Sequence, residues 1–203
     1  MIFEDQIIEK AQDLFFKYGV KSITIDDLAK ELRISKKTLY KSFNNKQEII
    51  NIITIKLIKE HENSCDKIEK EANDAIQELL IYIHNFKSIF QQFNYKIIFE
   101  MKKYYTESWE IFKNYKYEFL SERIKNNLNR GIKEGLYRKN INKDIIAKLR
   151  LEQMQIISNP LLFSSTDYST KELFQELSFQ ILYGMSTIKG HRLINKYLGV
   201  EEE

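Results

Sequence analysis

Residues Ile34–Ile49 read ISKKTLYKSFNNKQEI. The stretch gathers Lys36, Lys37, Lys41 and Lys46 together with hydroxyls at Ser35, Thr38 and Tyr40. Widened to Leu32–Gln47, the window holds five cations, Arg33 included, and no carboxylate. The whole chain carries 32 basic against 29 acidic side chains, so this excess is local and not inherited from composition. A polyanion is the natural counterpart of such a patch.

Working outward, the local signals are all helical. Ser35 is placed to cap a short helix running to about Ser42, with Leu39 inward. Upstream, Thr24 caps a helix that begins with acidic Asp27 and buries Leu28, Ala29 and Leu32. Before it, Ile7, Ala11, Leu14, Phe15 and Tyr18 recur at helical spacing, and Gly19 follows as a C-cap. Two helices joined by a tight turn, the second one basic, form a helix-turn-helix unit, whose second helix lies in the DNA major groove. Arg33 falls in the turn, where glycine is common, and a left-handed backbone there costs about 1 kcal/mol. Phe43 reads as core. Downstream, Asn45 followed by Glu48 resembles a capping box for a long helix. Ile49, Ile50, Ile52, Ile53, Ile55, Leu57 and Ile58 cover most of its circumference, which predicts a connector buried on both sides.

Thr24-Ile25, Asp27-Leu28-Ala29, Leu32, Ile34-Ser35, Lys37-Thr38-Leu39-Tyr40, Phe43 and Asn45-Lys46 with Glu48 resemble the N-terminal signature of the TetR family of bacterial transcriptional regulators. The resemblance covers roughly residues 5–55. A second similarity is Gly131-Ile132-Lys133-Glu134-Gly135-Leu136-Tyr137-Arg138, which in many family members closes a body helix before the dimerising pair. The departures are Arg33 and Lys37, where many relatives carry glycine. The DNA-binding set read here is Thr24, Ser35, Lys36, Lys37, Thr38, Tyr40, Lys41 and Lys46. The lysines suit phosphates, and Lys37 also guanine O6 and N7. Thr38 can meet a thymine methyl. Thr24 and Tyr40 resemble family phosphate contacts. Lys46 opens a helix whose free amides favour a phosphate.

The expected fold is all-α: a three-helix helix-turn-helix head (1–46) and a larger helical-bundle body for ligand binding and dimerisation (47–203), with 47–62 as connecting helix. Six glycines and one proline in 203 residues support it. The acidic, amphipathic N-terminus is neither a secretory signal nor a transit peptide. The most apolar run, Ile49–Ile58, is too short to span a bilayer. Cys65 is the single cysteine, and a reducing cytoplasm is the expected location.

Body helices are expected over Lys67–Asn85, Phe86–Tyr105, Ser108–Lys133, Lys143–Leu162 and Thr170–Tyr197, the last broken near Gly184 or Gly190. Aromatics crowd residues 86–119, more than a small bundle core needs, and point to an apolar ligand pocket lined by Phe90, Phe93, Trp109, Phe112 and Met154. The resemblance implies that a small-molecule effector binds there and alters DNA binding. Apolar faces bearing Ile146, Leu149 and Ile157, and Leu173, Leu177 and Ile181, are expected to form a four-helix homodimer interface. His61 and Cys65 share a helical face, but two ligands do not make a zinc site. No catalytic constellation, cofactor motif or metal site is expected. Three classes of function remain: a ligand-released repressor on operator DNA, a nucleoid-type DNA-binding protein without an effector, and an enzyme with a helical pocket. The residues favour the first.

Overall fold

In a computed structural model, the structure describes residues 3–85, 95–157, 162–163 and 166–200, with the side chains of Tyr95, Lys96 and Met154 outside that set. The helices described are α1 (Phe3–Tyr18), α2 (Ile25–Glu31), α3 (Lys36–Ser42), α4 (Lys46–Glu71), α5 (Ala75–His84), α6 (Tyr95–Tyr104), α7 (Thr106–Asn114), α8 (Ser121–Lys133), α9 (Lys143–Ile157), α10 (Thr170–Met185) and α11 (Ile188–Leu198). A π-helical turn, Tyr115–Leu120, joins α7 to α8. Among the described residues the one β pairing is an isolated antiparallel bridge, Tyr137 with Ser186. The protein is an all-α, N-terminal helix-turn-helix chain, as the periodicity predicts. It divides into two compact units, Met1–Glu62 with Phe90–Tyr115, and Asn63–Ile89 with Lys116–Glu203.

The first unit is organised around Ile7, Ala11, Leu14 and Phe15 of α1. These are buried with Leu28 and Ala29 of α2, Leu39 of α3, Phe43, and Ile49, Ile50 and Ile53 of α4. Thr24 and Asp27 form a reciprocal capping box at the start of α2. The α2 to α3 turn is a Schellman motif: Ile34 N–H donates to Ala29 O at 3.0 Å and Arg33 N–H to Lys30 O at 3.1 Å. It requires a left-handed residue, and Arg33 supplies it at φ 56°, as expected from its place in the turn.

Two expectations for α4 need correction. Asn45 Oδ1 does accept from Glu48 N–H at 2.9 Å, but the Glu48 carboxylate returns to Asn44, whose N–H and side-chain amide donate at 2.7 and 3.0 Å. Nor is α4 buried all round. Ile49, Ile50, Ile53 and Leu57 are buried, whereas Ile52 and Ile55 are exposed. A second apolar stripe needs a second neighbour, and packing within the chain covers one stripe here.

In the second unit Ile68, Ile76, Leu79, Leu80, Ile83, Leu128, Leu136, Tyr137, Leu182 and Ile194 form the core. The helix expected over Lys67–Asn85 is broken at Asn73-Asp74. Asp74 caps α5 by accepting from Ile76 N–H and Gln77 N–H, both at 2.9 Å. Asp competes with a continuous helix through this side-chain bond. Glu134 accepts from Ala75 N–H at 2.9 Å, and Arg130 ties Glu134, Glu78 and the Ala72 carbonyl together. The segment beginning at Gly131 is a structural lock. Its Tyr137 ring is so close that a Cβ at Gly131 would lie 2.1 Å from it. The Tyr137 hydroxyl donates to Ala75 O at 3.0 Å. Gly135 takes φ 73°. The helix expected over Thr170–Tyr197 breaks at Ser186, between the two glycines named, and Thr187 caps α11. Residues 86–94 and 158–161, within two further expected helices, lie outside the described residues.

Candidate nucleic-acid interface

Helix α3 begins where Ser35 accepts from Thr38 N–H at 3.0 Å. The Ser35 and Thr38 hydroxyls are also 2.7 Å apart, so the two side chains hold one another. One residue of this helix, Leu39, is fully buried and anchors it. The opposite face carries Lys36, Lys37, Tyr40 and Lys41, all exposed. Lys37 and Lys41 are one turn apart and, among the described residues, form no ion pair. Lys36 is different: its ammonium lies 2.7 Å from Asp26 of α2, and that bond raises its pKa. Asp26 was not singled out from the sequence, because nothing in a ten-residue spacing across a turn signals an ion pair. Thr24 is exposed but its hydroxyl is engaged with Asp27, and that bond holds the Asp27 carboxyl below its usual range.

Lys46 does not join this face. Its ammonium donates to the Val20 carbonyl and lies over the rings of Phe15 and Tyr105, 5.6 and 5.2 Å from their centroids. Burial lowers its pKa, against the nearby carboxylates of Glu100 and Asp27. The reading of Lys46 as a phosphate-facing cation is therefore corrected for this conformation. Apolar walls and a carbonyl acceptor draw the amphipathic side chain inward.

Such a short basic helix, set by a Schellman turn on a buried three-helix core, can enter a major groove with its exposed face. Residues 7–52 match the family of bacterial regulatory proteins, tetR family. That segment is a TetR-family N-terminal domain. Its relatives include the HTH-type transcriptional regulator YhgD of Bacillus subtilis, 29% identical over 133 residues, 64% of this chain and 69% of that protein. TtgR of Pseudomonas putida is 30% identical over 84 residues, 39% of this chain and 40% of TtgR. Among solved structures, a transcriptional regulator from Saccharomonospora viridis in complex with choline superposes with TM-score 0.74 at 18% identity, covering 90% of this chain and 97% of that one. A TetR-family regulator from Agrobacterium tumefaciens gives TM-score 0.74 at 16% identity, again covering 90% and 97%. With this N-terminal domain the chain is a DNA-binding transcriptional regulator.

The remaining site residues are distributed as follows. Of the pocket set, Phe112 is buried and Trp109 half-buried, their ring centroids 6.0 Å apart, and Lys102 lies over the Trp109 ring. Phe90, Phe93 and the Met154 side chain lie outside the described residues. Of the dimer set, Leu149 is exposed, and Ile146, Leu173, Leu177 and Ile181 are half-buried. Ile157 is buried within its own unit and is removed from that set. Ile145, not named from the sequence, is exposed beside Leu149. His61 is hydrogen-bonded through Nδ1 to the Tyr115 hydroxyl, its ring edge-on to that tyrosine at 5.9 Å. Among the described residues no helix is long and apolar enough to cross a membrane, and no group of three metal-ligating side chains occurs.

Proposed function

We propose that the protein is a homodimeric repressor acting in the cytoplasm, released from operator DNA when a small apolar or aromatic molecule binds its body. In this reading residues 1–46 read DNA, 47–203 bind the effector and dimerise, and neither membrane nor cofactor nor catalysis has a part. The observation that carries it is the exposed Lys37, Tyr40 and Lys41 face on a helix held rigidly by Ser35 and Leu39. Two such helices in a two-fold dimer reach half-sites about 34–36 Å apart on one face of DNA. The exposed Ile145 and Leu149 on α9 support pairing of copies. The choline complex of the Saccharomonospora viridis relative supports a ligand-binding body. Helix α4, continuous from Lys46 to Glu71, would carry a shift from body to head. Effector and operator must then weaken one another by the same factor, worth about 1–3 kcal/mol.

Selection from a randomised duplex pool tests the reading. The wild type should enrich a palindromic site, and the Lys36/Lys37/Lys41 triple alanine variant should enrich none. Recovery of sequence-independent DNA alone would favour a nucleoid-type protein instead.

A further inference from the structure

Tyr104 ends α6, and two lysines bracket its exposed ring. The Lys21 ammonium, from the loop after α1, lies 4.6 Å from the ring centroid and donates to the Tyr104 hydroxyl at 3.1 Å. The Lys103 ammonium lies 5.3 Å from the same centroid. All three residues are exposed and belong to the first unit. The bond from Lys21, and then Lys103, hold the phenol below its usual pKa. Among the described residues neither lysine forms an ion pair, and the Tyr104 O–H meets no acceptor.

The carboxylates nearby are already matched. Glu100 is buried, accepts from Lys21 N–H at 2.8 Å, and has half-buried Lys46 as its electrostatic neighbour. Asp27 is spent on the Thr24 cap. The two exposed ammonium groups are left without internal compensation, and like charges held this close repel until an anion joins them. Their place in the unit says which anion. Three residues lead from Lys21 to Thr24, a reach of at most about 10–11 Å. Thr24 caps α2, and Asp26 in the first turn of α2 lies 2.7 Å from Lys36, the first residue of α3. The patch therefore extends the basic surface of the recognition helix past the start of α2. Ammonium groups and a phenolic O–H suit phosphate oxygens and carry no fork for reading a base edge.

We infer that Lys21, Lys103 and Tyr104 bind the phosphate backbone of DNA flanking the bases read by α3, so that helix α6 itself touches the duplex. The two ammonium groups take phosphate oxygens, and the Tyr104 O–H donates to one of them. Lys103 and Tyr104 lie beyond residues 1–46 and add affinity and orientation, not base preference. The inference rests on DNA binding alone and is independent of any effector.

The test uses the full chain and fluorescence anisotropy over a salt series. The probe is the palindromic duplex enriched from the randomised pool, or a random-sequence duplex if none is enriched. A Lys21→Ala/Lys103→Ala double variant should flatten the log–log salt slope by about two units per bound protomer, and Lys103→Ala alone by about one. Lys139→Ala, which removes an exposed charge from the second unit, should leave the slope as in the wild type. Base preference should be the same in all four proteins. On the palindromic duplex, ethylation of a flanking phosphate should weaken the wild type and leave the double variant indifferent. Should the double variant not fold, Lys103→Ala at its exposed position decides by the same slope. A wild-type slope in the Lys103→Ala variant, an equal flattening by Lys139→Ala, or a changed base preference would overturn the inference. The repressor reading fails separately, if no palindromic site is enriched while the salt slopes still differ.

Discussion

The ammonium of Lys46 donates to the backbone carbonyl of Val20, pinning the first turn of α4 to the loop that follows α1. Close by, Lys21 N–H donates to the Glu100 carboxylate at 2.8 Å, and the Lys21 ammonium to the Tyr104 hydroxyl at 3.1 Å. Gln47 and Asn51 share the Ser108 hydroxyl at 2.8 and 2.5 Å. One end of α4 is therefore held by polar bonds to the loop after α1 and to Ser108 of α7. Lys46→Met should lower the melting temperature but leave the dependence of DNA affinity on salt unchanged. Lys37→Ala and Lys41→Ala should each flatten that log–log slope by about one unit per bound protomer. Gel shifts over a salt series read the difference directly.

Arg33 holds a left-handed backbone at φ 56° in an exposed turn. Arg33→Gly should raise stability by about 0.5–1 kcal/mol in denaturant titration, since glycine carries no Cβ penalty there. An unchanged or lowered midpoint would show that the Schellman turn is relaxed by other means.

His61 is buried, and desolvation lowers its pKa from 6.5 to about 4. Between those values the unfolded chain binds the proton and the folded one does not. This contribution is full above pH 6.5 and is lost as pH falls toward 4, by about 2–3 kcal/mol. Urea titrations at pH 7 and pH 4.5 should show that loss in the wild type and a smaller one in His61→Phe.

Two helical glycines should respond oppositely to alanine. At Gly131 the new Cβ meets the Tyr137 ring at 2.1 Å, and that ring is buried and hydrogen-bonded, so the cost should exceed about 2 kcal/mol. At Gly184 nothing lies within 4 Å, and the substitution should stabilise by about 0.5–1 kcal/mol through helix propensity. Thermal melting of the two variants side by side decides the matter.

Charged substitutions on α9 should separate assembly from folding. Leu149→Glu, at an exposed position, should give a folded monomer with weakened operator binding. Ile157→Glu, at a buried one, should unfold the protein, since an uncompensated charge in the core is costly. Sedimentation at micromolar concentration and circular dichroism distinguish the two outcomes.

The sequence by itself determined the head. Its caps at Thr24 and Ser35, its buried Leu28, Leu39 and Phe43 and the strained turn at Arg33 are local or periodic signals, written within a few residues of where they act. The tertiary structure decided what depends on partners distant along the chain. It turned Lys46 inward onto Val20 and Tyr105, paired Lys36 with Asp26, and left Ile52 and Ile55 uncovered although their residue type matches that of buried Ile53. Period and propensity describe a side chain's own helix. Whether a charge is neutralised, or an apolar face covered, depends on which other helix arrives beside it, and only the packed chain contains that information.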